Sequence, residues 1–168
     1  EQGVEVHSII GFRNKDLIIL EKEFAEVSDK LIVMTDDGSN GTKGLVTDAL
    51  KELLDKGEKY DEVITIGPLI MMKFVTLLTK KYNVKTVVSM NPIMIDGTGM
   101  CGGCRVKVGN ETKFACVDGP DFDAHQVDFD EAIRRSKAYL EQEAYDRERE
   151  KEKEESHRCR LTGEVRHG

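Results

Sequence analysis

The 168-residue sequence has no tryptophan and no apolar run long enough to form a transmembrane helix. Its formal net charge of −7 argues against nucleic acid or an anionic membrane surface as a partner. It contains only four cysteines and no secretory signal, so we expect reduced thiols in a cytoplasmic setting rather than disulfides. The sequence also lacks an initial methionine, and a predicted strand starts almost at once. We therefore expect a piece of a longer protein.

A G-x-G-x-x-G dinucleotide fingerprint is also absent, but the chain alternates between strand and helix patterns. Short apolar runs predict strands, and segments with apolar residues at helical spacing separate them. One helix is predicted to begin at Asp16, which can act as its N-cap. The predicted strands lie at 4–10, 31–34, 63–66 and 85–90. This alternation indicates an α/β fold, with a Rossmann-like parallel sheet and helices on both of its faces.

Three polar or glycine-rich segments directly follow predicted strands, at Gly11–Asn14, Asp36–Gly41 and Gly67–Pro68. The carboxyl ends of parallel strands meet at one edge of a sheet, where such sheets bind ligands. We therefore expect the three segments to lie along the same rim. Each one alone is explained equally well as an ordinary connection between a strand and a helix, but their recurrence favours a nucleotide site.

The most informative stretch is 91–123, where three of the four cysteines follow an aspartate in the pattern D-x4-C-x2-C-x11-C. The four residues of the pattern are Asp96, Cys101, Cys104 and Cys116. Plant-type [2Fe–2S] proteins use C-x4-C-x2-C with a distant fourth cysteine, and Asp96 stands where the first cysteine would be. Nearby glycines let a backbone wrap closely around a cluster and direct N–H groups toward sulfur. The Gly109–Asn110 pair predicts a hairpin that returns Cys116 to the other two cysteines.

Two other interpretations of these four residues stay open at this point. Three cysteines and a carboxylate are also a suitable ligand set for structural zinc. A zinc ribbon usually has a second C-x2-C pair, which this sequence lacks. Free thiols without any metal are the third interpretation. The alternative to a redox protein is therefore a zinc-stabilised nucleotide-binding module without redox activity.

The carboxyl-terminal part has a different character. Asp128 can cap a helix that is predicted to run through Phe129, Ile133 and Leu140. Nearly every residue between 146 and 155 is charged, which predicts a solvated helix or a tail, with a docking segment for a partner subunit as the alternative. Cys159 lies beyond this run, and we interpret it as a spare thiol.

The sequence is predicted to divide into three parts: a nucleotide-binding part at 1–90, a cluster module at 91–127, and a charged helix and tail at 128–168.

Four motifs together resemble a known family: GFRNKD (11–16), TDDGSNGTKG (35–44), IGPLIMMK (66–73) and NPIMIDGTGMCGGC (91–104). Over residues 4–150 the chain resembles the electron-transfer subunit family of dihydroorotate dehydrogenase. In the dihydroorotate branch of that family the first cluster ligand is cysteine. In the ferredoxin:NADP oxidoreductase branch it is aspartate, as at Asp96.

The resemblance implies the carboxyl-terminal part of a flavoprotein of the ferredoxin–NADP reductase type. In such a protein a β-barrel binds FAD, an α/β domain binds NAD(P)H, and a [2Fe–2S] cluster passes electrons to a larger flavoprotein or iron–sulfur subunit. Ferredoxin is a further candidate partner. The barrel is absent from these 168 residues, and so is the first strand of the nucleotide domain with its pyrophosphate loop. That strand lies centrally in the family's sheet, so we expect the chain alone to bind nucleotide weakly and to expose strand edges.

The resemblance also assigns residues by position, and it places no catalytic residue in this chain. The cluster ligands are the aspartate and three cysteines named above. Ile66 stands where related reductases often have a cysteine. The residues expected to border the adenosine part of NAD(P)H are Gly11, Arg13, Asp36, Asp37, Gly38, Ser39 and Gly41. Those expected near the nicotinamide are Gly67, Pro68 and Met71.

Overall fold

The computed structural model describes residues 3–156, and only the backbone of 152–156. It confirms a mixed α/β fold. The strands are β1 (His7–Phe12), β2 (Lys30–Thr35), β3 (Val63–Ile66), β4 (Thr86–Ser89), β5 (Arg105–Val108), β6 (Glu111–Phe114) and β7 (Asp121–Asp123). The helices are α1 (Glu21–Val27), α2 (Val46–Asp55), α3 (Leu69–Lys81), α4 (Phe129–Ser136) and α5 (Leu140–Ser156).

The expected parallel sheet is present as two separate sheets. Strands β1 and β2 pair in parallel, with Ile9 opposite Ile32. Strands β3 and β4 also pair in parallel, and β7 adds to β4 in the antiparallel direction, with Val88 opposite Phe122. Within the described residues no ladder joins β1 to β3. The two parallel pairs therefore stand apart where the family resemblance places a central strand.

The prediction of a helix beginning at Asp16 is wrong. The Asn14 side chain accepts a hydrogen bond from the Asp16 N–H, at 3.1 Å, and caps a short 3-10 turn at Lys15–Leu17. Leu20 then has a left-handed backbone, with φ of 56°, so the helix begins only at Glu21. A local side-chain cap competed with the helix and displaced its start.

Two apolar cores hold the fold together. One lies between α2 and α3 and contains Leu50, Leu54, Val75 and Val84. The other contains Met72 and Val88, together with buried residues of the predicted cluster segment. These additional residues are Cys104, Val106, Ala115 and Phe122, and Phe129 of α4 packs with them. The cluster segment is therefore packed into the same core as α3 and β4.

The carboxyl-terminal helix is interrupted. As predicted, the Asp128 carboxylate caps α4 by accepting a hydrogen bond from the Glu131 N–H, at 2.9 Å. The helix ends at Ser136, and α5 begins at Leu140, so the predicted continuous helix is two helices. The side chains of α5 are exposed over 140–151.

No helix among the described residues is both long and apolar enough to span a membrane. Cys159, interpreted above as a spare thiol, lies outside the described residues.

Candidate metal centre

The loop that carries the first predicted ligands leaves the carboxyl end of β4. The Met90 N–H donates to the Pro120 carbonyl at 2.9 Å, which ties the end of β4 to the segment entering β7. The Asn91 side-chain amide donates to the Gly67 carbonyl at 3.2 Å. The loop therefore starts from a point fixed by its neighbours on both sides.

Asp96 organises the loop before the first cysteine. One carboxylate oxygen accepts a hydrogen bond from the Thr98 N–H, and the other accepts one from the Cys101 N–H, both at 2.9 Å. The N–H of Thr98, more than that of Cys101, lowers the pKa of Asp96 below its ordinary value, since both bonds stabilise the carboxylate. An ionised carboxylate beside Cys101 is a competent anionic metal ligand.

The predicted hairpin is present and returns Cys116 to Cys104. Strands β5 and β6 pair from Arg105 opposite Phe114 to Val108 opposite Glu111. Beyond the ladder, the Ala115 N–H donates to the Cys104 carbonyl at 3.1 Å. The Cys116 N–H points at the Cys104 sulfur, with 3.5 Å between nitrogen and sulfur. The hairpin predicted from the sequence thus joins two predicted ligands that are 12 positions apart.

A backbone N–H group is directed at the sulfur atom of each of the three cysteines. The Cys101 sulfur accepts from the Gly103 N–H at 3.4 Å. The N–H of Cys116 lowers the pKa of the buried Cys104 thiol, because it stabilises the thiolate. The pKa of Cys116 is raised by its hydrogen bond with the Cys104 sulfur, and the N–H of Gly99 acts in the opposite direction. Each of the three sulfur atoms thus has one backbone N–H directed at it.

This donor set fits an iron–sulfur cluster. Three thiols and one carboxylate are gathered on one loop and one hairpin, and N–H donors face the sulfur atoms, as cluster sulfurs require. Within residues 3–156 no three His, Cys, Asp or Glu side chains are arranged closely enough to hold a metal ion.

The residues predicted to border adenosine lie together at the end of the β1–β2 sheet. The Asp36 and Asp37 N–H groups donate to the carbonyls of Phe12 and Arg13, at 3.0 and 3.3 Å. The Asp37 carboxylate accepts from the Ser39 N–H at 2.9 Å. The Ser39 hydroxyl, ahead of that N–H, lowers the pKa of Asp37. Gly38 and Gly41 both have positive φ in this loop, and Gly11 lies on β1 against α2.

Gly67, Pro68 and Met71 form a second group, at the junction of β3 and α3. Pro68 is the N-cap residue of α3. The Met71 sulfur accepts a hydrogen bond from the Thr65 hydroxyl at 3.5 Å. Gly67 has a φ of 149°, a backbone conformation that favours glycine, and an added Cβ would lie 2.6 Å from the methyl end of the flexible Met71 side chain. Among the described residues no hydrogen bond joins this group to the adenosine group.

Sequence reasoning did not single out three residues that support these sites. Asn40 accepts from the Thr35 hydroxyl at 2.7 Å and donates to the Val33 carbonyl at 2.9 Å, which closes the adenosine loop. Thr98 and Arg135 make hydrogen bonds to the loop at 91–104, which we call the cluster loop: the Thr98 N–H donates to the Asp96 carboxylate, and the Arg135 guanidinium donates to the Gly103 carbonyl. Thr98 could have been found as the residue two positions after an aspartate, a typical Asx turn. Arg135 gave no signal, because it lies 31 positions after Cys104.

Comparisons with known proteins agree with this geometry. Residues 91–128 match the iron–sulfur cluster binding domain of dihydroorotate dehydrogenase B. An uncharacterized protein of Clostridium beijerinckii is 56% identical over 144 residues, which are 85% of this chain and 49% of that protein. A homolog of the dihydroorotate dehydrogenase B electron transfer subunit from Thermotoga maritima is 51% identical over 149 residues, 89% of this chain and 52% of that protein.

A solved structure, of the NADH-dependent reduced ferredoxin–NADP oxidoreductase studied for flavin-based electron bifurcation, superimposes with a TM-score of 0.77. It is 50% identical in sequence, and the match covers 88% of this chain and 52% of that one. The chain thus spans about half the length of the relatives it matches. The predicted resemblance is confirmed, and the chain is a relative, over most of its length, of the electron-transfer subunits of dihydroorotate dehydrogenase B.

Proposed function

We propose that this chain is the cluster-bearing part of an NAD(P)H-dependent iron–sulfur flavoprotein that passes electrons to a larger partner subunit. One observation carries the proposal: the β5–β6 hairpin brings Cys116 to Cys104, beside the loop that holds Asp96 and Cys101. These four residues would hold one [2Fe–2S] cluster. The name of the Thermotoga relative mentions electron transfer, and that of the solved oxidoreductase mentions reduced ferredoxin. Both names support a role in electron transfer for this chain.

The cluster, when bound, supplies one-electron transfer, and the chain's own residues prepare its place. The N–H groups of Gly103, Cys116 and Gly99 face the cysteine sulfurs and offset the negative charge that builds up there. Asp96 contributes an anionic oxygen in place of a fourth thiolate. Cys104 is buried, which excludes water from one side of the site.

The nucleotide part of the proposal assigns two groups of residues. Arg13 and the 36–41 loop would bind the adenosine part of NAD(P)H, and Gly67, Pro68 and Met71 would border the nicotinamide. The Asn91–Gly67 hydrogen bond supports a short route for electrons between NAD(P)H and the cluster. It fixes the start of the loop that leads to Asp96 against Gly67, one of the residues proposed to border the nicotinamide. FAD and the pyrophosphate would be bound by segments outside these 168 residues. The proposed divisions at 90/91 and 127/128 separate functions, while the segments on either side share one apolar core.

The test is anaerobic reconstitution of the 168-residue chain with iron and sulfide. We expect two irons and two acid-labile sulfides per chain, a red-brown colour, and an electron paramagnetic resonance signal after reduction. Cys116→Ala should lose the cluster. Cys159→Ala removes a cysteine outside the proposed ligand set and should keep it. One bound zinc and no acid-labile sulfide would establish the zinc-stabilised module instead.

A further inference from the structure

The segment between the two central ligands, Cys101 and Cys104, lies beside a positive charge from a distant part of the chain. The Arg135 guanidinium, through Nη2, lies 3.4 Å from the Gly103 carbonyl oxygen, at the long end of the hydrogen-bond range. That carbonyl belongs to the peptide unit leading directly into Cys104. Arg135 is half-buried, so water screens its charge less than that of a surface arginine.

The helix that carries Arg135 is held firmly in place. The Asp128 N–H donates to the Lys107 carbonyl on β5 at 2.9 Å, and Phe129 is buried in the core that contains Cys104. Asp130 pairs with Lys73 on α3. Helix α4 is thus fixed to both the hairpin and α3, and Arg135, in its last turn, is directed at the cluster loop by packing at the other end of the helix.

We propose that Arg135 is a positioning residue that raises the reduction potential of the cluster. The inference rests on the proposed function, because it requires the cluster to be bound. One-electron reduction adds one negative charge to a site whose four protein ligands are all anionic. A fixed guanidinium nearby stabilises the reduced form more than the oxidised form. Arg135 lies outside residues 91–128, the part of the chain that matches the known cluster domain.

The size of the effect follows from Coulomb's law. One unit charge at about 10 Å, with an effective dielectric constant of about 40, changes the ratio of reduced to oxidised cluster about fourfold. At 59 mV per tenfold change for one electron, this corresponds to a potential difference of about 35 mV. Such a difference is measurable in a redox titration followed by electron paramagnetic resonance.

The test compares variants of the reconstituted 168-residue chain. Arg135→Gln should lower the midpoint potential, so that at the midpoint of the unsubstituted chain the ratio of reduced to oxidised cluster falls about fourfold. Arg135→Lys keeps the charge and should retain most of the potential. Arg134→Gln is the matched control, because it removes the same charge from an exposed position on the same helix and should change the potential little.

The outcomes separate this inference from the proposed function. If the unsubstituted chain binds no iron and sulfide, both fail. If it binds a [2Fe–2S] cluster and R135Q has the same potential as R134Q, the proposed function stands and the inference is overturned. Arg135→Met is a second neutral variant in case R135Q does not fold. Folded R135Q and R135M chains that bind no cluster would also overturn the inference, because Arg135 would then be needed to bind the cluster and not to set its potential.

Discussion

The ring nitrogen Nδ1 of His7 and the hydroxyl of Tyr60 are 2.8 Å apart, and their rings meet edge to face with centroids 5.5 Å apart. His7 begins β1, and Tyr60 lies in the segment that leads into β3. This pair therefore links the two parallel sheets, which no ladder among the described residues joins. Burial, ahead of the nearby carboxylate of Glu58, raises the pKa of the Tyr60 phenol.

Tyr60→Phe should lower the free energy of unfolding by about 1 kcal/mol, because it removes one partly buried hydrogen bond and leaves His7 Nδ1 unpaired. Urea denaturation followed by circular dichroism measures this difference. Tyr139→Phe is the control, since Tyr139 is 71% exposed, and it should change stability by less than about 0.5 kcal/mol. Equal effects of the two substitutions would show that the pair does not link the sheets.

Asp96→Cys should retain the proposed cluster and lower its reduction potential. Both ligands are anionic, but the more basic thiolate donates more charge to iron than the carboxylate and stabilises the ferric form. Redox titration of the variant beside the unsubstituted chain measures the change. Asp96→Asn, which offers no anionic ligand, should bind less iron. An unchanged midpoint potential in D96C would argue that Asp96 is not a ligand.

Gly99→Ala should reduce cluster content as well as stability. Gly99 has φ of 81°, and a Cβ there would lie 3.1 Å from the Val117 side chain, next to the N–H that faces Cys116. Gly57→Ala is a matched control, because Gly57 also has positive φ, at 90°, but has nothing within 4 Å of the added Cβ. Both variants should lose about 1 kcal/mol from backbone strain. Only G99A should show less iron and sulfide per folded chain, and equal losses in both would contradict a cluster at this loop.

The chain alone should self-associate and bind NADH weakly. Within residues 3–156 strand β3 is paired only with β4, and its Ile64 and Ile66 side chains are 66% and 67% exposed. Unpaired apolar strands add to other chains. Ile64→Lys should shift the chain toward the monomer in sedimentation velocity, while Ile93→Lys, in a loop and 74% exposed, should not.

Calorimetry on the same samples measures NADH affinity. Weak binding is expected, because the sequence contains no G-x-G-x-x-G loop to hold the pyrophosphate. A monomeric, unsubstituted chain that binds NADH at micromolar concentration would show that the strand-edge argument is wrong.

Local chemistry explains which parts of the structure could be predicted. The Gly109–Asn110 turn and the alternation around it were sufficient for the hairpin, and Asp128 was sufficient for the start of α4. The start of α1 was missed because the Asn14 side chain caps a competing turn at Lys15–Leu17. The antiparallel addition of β7 to β4 and the placement of Arg135 depend on packing between distant segments, which no short pattern encodes.

Cys104 is 1% exposed and shares its apolar core with Met72 and Val88. A ligand bound to this side chain in the folded state only would add its binding free energy to the stability of α3 and β4 as well. Folding and cofactor loading would then be one thermodynamic event for this half of the chain. The steady-state amount of folded protein would rise and fall with the supply of iron and sulfide, because chains that lack them would unfold more often and be degraded sooner.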